Sequence, residues 1–111
     1  MAPTYLGEFE QLLLLAVLRL GSEAYALDVA RELDVRAGRS VSRGALYTSL
    51  DRLEDKGLVR WKPAAGTAAR NGLPRRLYTV TAPGLSALRA SRSTLRRMWH
   101  GLEKLLEEPT A

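Results

Sequence analysis

The stretch from Val41 to Val59, VSRGALYTSLDRLEDKGLV, constrains the fold more than any other part of the sequence. Ser42 is typical of a helix N-cap, because its hydroxyl can accept a hydrogen bond from a backbone N–H of the first turn. Gly57 is typical of the position just after a helix end. Three leucines recur between them at helical spacing: Leu46, Leu50 and Leu53. The pattern predicts an amphipathic helix from Ser42 to Lys56, followed by a strand.

Five residues of this helix are predicted on the side away from the leucines, with Arg43 at its flank: Gly44, Tyr47, Thr48, Asp51 and Arg52. A short polar face of this kind suits hydrogen bonding to base edges in a DNA groove. Another helix is predicted from about Tyr25 to Ala37, with an apolar inner face: Ala26, Leu27, Ala30 and Leu33. With the short link from Gly38 to Val41, the two helices are predicted to form a helix-turn-helix.

The period of the sequence changes after Gly57. Two strand-like segments, Leu58 to Lys62 and Arg75 to Val80, flank twelve residues rich in Gly, Pro and Ala, which predicts a β-hairpin with a long tip. Residues 58–80 contain five basic and no acidic side chains: Arg60, Lys62, Arg70, Arg75 and Arg76. A hairpin of this charge can lie along a duplex and neutralise phosphates, as the wing of a winged helix does.

The first predicted helix, Leu6 to Leu20, is apolar nearly all round. One stripe is expected to face the core: Phe9, Leu13, Ala16, Val17 and Leu20. The core then leaves several leucines of this helix unburied: Leu12, Leu15 and one of Leu14 and Leu18. A chain of 111 residues has little further surface to bury them, so contact with a second subunit is the simplest explanation. Burial on both sides within one chain is the alternative.

A last helix, capped by Thr81, is predicted to continue to about Glu108. Two rows recur along it every seven residues: Leu88, Leu95 and Leu102 in one, and Leu85, Arg92, Trp99 and Leu106 in the other. Arg92 interrupts the second row, which favours a mixed helix-on-helix interface over a coiled coil. The predicted homodimer interface contains seven residues: Leu12, Leu15, Leu88, Leu95, Trp99, Leu102 and Leu106.

Met98 and Trp99 have a second interpretation. An amphipathic Trp on an interface helix, beside a Met, can line an apolar slot for a flat aromatic ligand. Packing between subunits is the simpler use of both side chains.

The run from Ser42 to Val59 resembles the PadR-like transcriptional regulators, in which a capping residue, a Gly, a Leu-Tyr pair, an Arg-Leu-Glu triplet and a Gly-Leu follow in this order. The segment Gly72 to Gly84, GLPRRLYTVTAPG, is similar to the second wing strand of that family and the start of its last helix. The resemblance covers nearly the whole chain. It implies a winged helix-turn-helix, a dimer and DNA binding, and it permits a small aromatic effector, since some members respond to phenolic or drug-like molecules.

Charge is distributed unevenly along the chain. Residues 1–57 hold seven Lys and Arg against nine Asp and Glu, whereas residues 58–111 hold ten against three. A basic half attracts polyanions, and nucleic acid is the commonest one for a small domain, with simple solvation of the charges as the alternative.

Other classes of function find little support in the sequence. The absence of Cys and the single His100 exclude a disulfide framework and a thiolate or histidine metal site. No catalytic motif or nucleotide-binding Gly loop is present, so we expect neither an enzyme nor a cofactor. The longest apolar run, Leu12 to Leu18, is too short to span a membrane, and a cytoplasmic location is expected.

The sequence thus predicts a mainly α (α+β) winged helix-turn-helix in a single domain, with residues 6–80 as the DNA-binding part and 81–108 as the dimerisation helix. Arg43 and Thr48 are assigned to base edges. Phosphates or base edges are assigned to Ser42, Tyr47 and Arg52, and the DNA backbone to four wing residues: Lys62, Arg70, Arg75 and Arg76. We predict that the protein is a dimeric transcriptional regulator that binds double-stranded DNA and acts as a repressor. A winged-helix protein-interaction module without specific DNA binding is the alternative.

Overall fold

Three helices, a β-hairpin and two further helices follow one another along the chain. The structure, a computed structural model, describes residues 5–64 and 75–107. In order, the elements are α1 (Glu8–Leu20), a 3-10 turn (Gly21–Glu23), α2 (Ala26–Ala37), α3 (Arg43–Asp55), β1 (Val59–Pro63), β2 (Arg76–Val80), α4 (Ala82–Trp99) and α5 (Glu103–Leu106). This mainly helical winged helix-turn-helix confirms the predicted fold class. None of the described helices is long and apolar enough to cross a membrane.

The hydrophobic core lies where the first three helices meet the hairpin. Its largest fully buried side chains come from every one of these elements: Leu13, Leu14, Val29, Leu46, Leu50, Leu53, Leu58, Val59 and Tyr78. The three leucines of α3 are therefore buried as predicted. Burial of one leucine contributes about 1.5–3 kcal/mol, whereas an exposed ion pair contributes about 0–1 kcal/mol. Apolar packing, rather than surface charge, holds α3 on the core.

The hairpin is joined to the start of α2 as well as closed on itself. Strands β1 and β2 pair antiparallel, in a register that sets Val59 opposite Val80. On the other edge of β2, Leu77 forms an isolated bridge with Tyr25, and the backbone N–H of Tyr78 donates to the carbonyl of Ala24 at 2.9 Å. Backbone contacts thus connect β2 both to β1 and to the residues that open α2.

The inner face of α2 differs from the prediction. Ala26 and Leu33 are buried as expected, but Leu27 is 38% exposed, and Val29, which was not predicted to face the core, is fully buried. The reason is helical geometry: Ala26, Val29 and Leu33 lie within about 60° of one another round the helix, whereas Leu27 lies about 100° from Ala26 on the other side.

The predicted last helix is wrong in its extent, because α4 ends at Trp99 rather than near Glu108. Gly101 has a φ of 85°, a left-handed conformation that interrupts a helix and that glycine adopts at little cost. Helix α4 is therefore 18 residues, or about 27 Å, long. Its heptad rows do not continue on one straight helix, and Leu102 and Leu106 belong to a separate C-terminal segment.

Two glycines provide a matched test of this packing. A Cβ on Gly84 would lie 2.2 Å from the carbonyl oxygen of Leu58 and 2.8 Å from Cγ1 of Val80, whereas a Cβ on Gly44 would meet nothing within 4 Å. We expect Gly84→Ala to lower the free energy of unfolding by about 1–3 kcal/mol through overpacking. Gly44→Ala should raise it by about 0.5–1 kcal/mol through helix propensity. Urea denaturation of both variants measures this, and a Gly84→Ala variant as stable as the wild type would contradict the close contact of α4 with the hairpin.

Candidate nucleic-acid interface

The start of α3 is capped as its sequence predicts. The Ser42 Oγ accepts a hydrogen bond from the backbone N–H of Ala45 at 3.1 Å. At the other end, Gly57 has a φ of 76°, so the chain turns sharply into β1. Because the Ser42 hydroxyl uses a lone pair for the cap, its own proton stays available for donation to a phosphate oxygen.

The outer face of α3 is open to solvent. Arg43, Thr48 and Arg52 are exposed, as the helical wheel predicts. Tyr47 is half-buried and packs against the core, so its ring supports the helix while part of its surface remains accessible. Four of the five α3-segment residues expected to contact DNA are thus exposed to solvent: Ser42, Arg43, Thr48 and Arg52.

The two basic residues of β1 have no carboxylate partner among the described residues. Arg60 and Lys62 are two residues apart, so they lie on the same face of the strand, and both are exposed. Within residues 5–64 and 75–107 neither forms an ion pair. Arg60 belongs to the basic run of residues 58–80, but the sequence alone does not single it out as a DNA contact. Arg70, which was assigned, lies outside the described residues.

The side chain of Arg75 contacts the start of α2. Its guanidinium lies 4.0 Å from the centre of the Tyr25 ring, and its Nη2 lies 3.8 Å from Oδ2 of Asp28. This is a cation–π contact with a carboxylate at its edge. Part of the charge of Arg75 is therefore engaged within the protein.

Arg76 faces the opposite side of β2 and contacts α3. Its Nη1 lies 3.2 Å from Oδ1 of Asp51 and 3.5 Å from the hydroxyl of Tyr78, and its guanidinium is 4.3 Å from the Trp61 ring and 5.5 Å from the Tyr47 ring. The Tyr78 hydroxyl, together with the Asp51 carboxylate, raises the pKa of Arg76, and burial raises the pKa of the Tyr78 phenol. No pattern in the sequence indicates this cluster, because its members come from three separate elements.

Helix α1 braces both ends of the α3 segment. Lys56 Nζ donates to Oε2 of Glu10 at 2.6 Å, and Arg39, in the link before α3, donates to Oε1 of Glu8 at 2.5 Å. Partial burial raises the pKa of the Glu10 carboxyl, but the hydrogen bonds from Lys56 and from the Gly7 N–H have the larger combined effect, so this pKa is lowered from its ordinary value. These contacts connect α1 to the chain on either side of α3.

The residues predicted for a dimer interface fall into two groups. Leu12 and Leu88 are half-buried and pack against the core of their own chain. The others are between 44% and 56% exposed: Leu15, Leu95, Trp99, Leu102 and Leu106. Met98, assigned with Trp99 to a ligand, is 71% exposed. Among the described residues, no group of three or more His, Asp or Glu is placed to hold a metal ion.

A winged helix whose helix-turn-helix presents an exposed, polar α3 beside a basic wing is typical of a DNA-binding module. The Transcriptional regulator PadR-like family matches residues 14–90, and the chain belongs to this family of DNA-binding transcriptional regulators, which are not enzymes. The sequence resemblance is confirmed. A search of functionally curated protein sequences gave no significant match.

Solved structures of regulators from this family are similar to the chain over most of its length. A PadR family regulator from Eggerthella lenta is 28% identical, with a TM-score of 0.62 over 92% of this chain and 88% of that one. A PadR-like transcription factor from Bacteroides fragilis is 26% identical, with a TM-score of 0.67 over 87% and 88%. F93 from STIV, a winged-helix DNA-binding protein, is 18% identical with a TM-score of 0.67 over 86% and 95%, which shows a common fold.

The cap of α3 can be tested apart from any DNA contact. Ser42→Ala removes the acceptor for the Ala45 N–H and should lower the free energy of unfolding by about 1 kcal/mol. Ser42→Asp keeps an acceptor at the same position and should be as stable as the wild type. Urea denaturation in the absence of DNA measures both, and equal stability of the Ala variant would show that the cap contributes nothing.

Proposed function

We propose that this protein is a sequence-specific repressor that acts in the cytoplasm and binds a pseudo-palindromic operator as a homodimer. The observation that carries the proposal is a set of four exposed cations that form no ion pair among the described residues: Arg43 and Arg52 on α3, and Arg60 and Lys62 on β1. All four lie in the part of the chain that matches the PadR-like family. A dimer bound across a promoter represses by occupying the site, without any further contact to the transcription machinery.

Selection of the site is assigned to α3. Arg43 and Thr48 are exposed near its start and are assigned to base edges, where Arg can bind guanine with two hydrogen bonds and Thr can contact either a polar edge or the thymine methyl. Ser42, Tyr47 and Arg52 are assigned to phosphates beside them, or to further base edges. This places the sequence-reading groups on a helix that is rigidly packed on the core.

Affinity that is independent of sequence is assigned mainly to the wing. Each phosphate neutralised by a Lys or Arg releases counterions and makes binding salt-dependent. Arg60 and Lys62 carry charge that no carboxylate of the described residues offsets. Arg76 begins the adjacent strand and Arg75 precedes it, but each is already beside a carboxylate, which reduces what either adds to phosphate neutralisation.

Dimerisation is assigned to the exposed apolar surface of α1, α4 and the C-terminal segment. Leu15 and Leu18 on α1 are 44% and 41% exposed, and Leu15 also lines an open groove of about 560 Å³ between α1 and α2. Leu95 and Trp99 on α4 are 49% and 47% exposed. A second copy of the chain covers both surfaces and places two α3 helices about 34 Å, one duplex turn, apart.

Trp99 and Met98 are assigned to packing between the subunits. Their exposure on one chain also leaves room for a second use, in which a flat aromatic effector lies between the two Trp99 side chains and changes the distance between the DNA-binding modules.

The division of labour between α3 and the wing can be measured. Arg43→Ala should reduce discrimination between the operator and a scrambled duplex, with a loss of about 1–3 kcal/mol for the operator alone. Lys62→Ala should weaken binding to both duplexes alike and lower the slope of log affinity against log salt by about one. Fluorescence anisotropy over a salt series, with DNA from upstream of the gene, gives both quantities. Identical behaviour of the two variants would refute this division, and a wild type without salt-dependent DNA binding would favour a protein-interaction module.

The dimer can be tested with two similarly exposed leucines. Leu15→Glu puts a charge into the proposed interface twice, so at about 1.4 kcal/mol for each copy the dissociation constant should rise about 100-fold. Leu27→Glu, on α2, should leave it unchanged. Analytical ultracentrifugation measures the constant, and a Leu15→Glu protein that dimerises like the wild type would exclude this surface.

A further inference from the structure

The contacts of Arg76 point to a role different from that of a phosphate ligand. We propose that Arg76 is a positioning residue, which fixes the recognition helix α3 relative to the wing through Asp51, Tyr47 and Trp61. The proposal deepens the DNA-binding function above and depends on it. Arg76 was assigned to binding of the DNA backbone. The proposal assigns it instead to the orientation of α3, on which selection of a DNA sequence depends.

The first support is that Arg76 joins three elements. It belongs to β2, Trp61 belongs to β1, and Tyr47 and Asp51 belong to α3. Both ring centres lie within the distance of about 6 Å at which a guanidinium is attracted to an aromatic face. In addition, the Asp51 carboxylate accepts a hydrogen bond from Nη1 at 3.2 Å. One planar side chain therefore contacts both strands of the wing and the helix that reads DNA.

The second support is the state of the Arg76 side chain. It is 34% exposed, compared with 45% for Arg75, and Tyr78 beneath it is fully buried. A phosphate ligand needs its guanidinium turned to the duplex, with N–H groups free to donate. Nη1 of Arg76 already donates to Asp51 and to the Tyr78 hydroxyl, and the guanidinium lies against two rings, so much of this side chain is engaged within the protein.

The third support is the charge of Asp51 itself. Asp51 lies one turn after Tyr47 on the outer face of α3, and its side chain is 54% exposed. A free carboxylate at this position would repel the phosphates of an approaching duplex. Arg76 offsets this charge at 3.2 Å, so the recognition helix keeps Asp51 as an anchor without a net negative charge at the interface.

The contact also explains why the two consecutive arginines differ. Successive residues of a strand point to opposite faces, so Arg75 reaches Tyr25 and Asp28 at the start of α2, whereas Arg76 reaches α3. The wing is thereby attached to both helices of the helix-turn-helix. Lys62 on β1, which has no ion pair among the described residues, provides the matched cation that is free to bind phosphate.

The test uses a variant that conserves net charge, Asp51→Asn combined with Arg76→Ala, and compares it with Lys62→Ala. For the full-length protein, affinity for the operator and for a scrambled duplex is measured over a salt series. With Arg76 as a positioning residue, the double variant should keep the wild-type salt slope and its affinity for scrambled DNA, while its affinity for the operator falls roughly tenfold. A partly unfolded variant would lose affinity for both duplexes equally, so the ratio of the two affinities reports geometry rather than folding.

Two results would overturn the proposal. If the salt slope falls by about one and both duplexes weaken alike, as expected for Lys62→Ala, Arg76 is a phosphate ligand. If neither the slope nor the discrimination changes, Arg76 has no role in DNA binding. A wild type that shows no salt-dependent DNA binding would instead refute the proposed function itself.

Arg76→Lys provides an independent arm. Lys keeps the positive charge but lacks the planar fork that contacts two rings and a carboxylate at once. We expect this variant to retain the salt slope and to lose a large part of its discrimination. Full discrimination with Lys at this position would overturn the proposal, because a point charge alone would then be sufficient.

Discussion

Burial of the α3 leucines is the constraint on which the rest of the structure depends. Leu46, Leu50 and Leu53 are each at most 1% exposed, and together they fix which side of the helix faces the solvent. The polar face toward DNA is the necessary consequence, since the two faces of one helix cannot be chosen separately. Every other functional feature, from the Ser42 cap to the Arg76 cluster, acts on a helix whose rotation the core has already set.

The charges of the protein have two different uses that composition does not separate. Arg60 and Lys62 stand free in the described structure, whereas Arg75 and Arg76 are each held by a carboxylate and an aromatic ring. A basic hairpin is thus both a source of electrostatic attraction and a structural clamp. Because exposed ion pairs are weak, the aromatic contacts matter for the clamp, since they add attraction that salt screens less than it screens an exposed pair.

Helix α1 connects the two surfaces proposed to bind partners. Its N-terminal half contacts the ends of the α3 segment through Glu8 and Glu10, and its C-terminal half presents Leu15 and Leu18 to solvent. Dimerisation on the apolar half would therefore set the position of α3 through a rigid helix. Because the chain turns at Gly101, the C-terminal segment does not continue the direction of α4. The two parts of the proposed dimer surface can therefore contact different regions of a second subunit.

The sequence by itself determined the order of the elements, the cap at Ser42, the inward leucines of α3 and the family. These are signals of periodicity and capping that act over a few residues, so they can be read along the chain. Only the tertiary structure decided the inner face of α2, where Val29 replaced Leu27, and the end of α4 at Trp99. It alone showed the partners of Arg75 and Arg76, because Asp28 and Asp51 are distant in sequence and meet these arginines only when the wing packs on the helix-turn-helix.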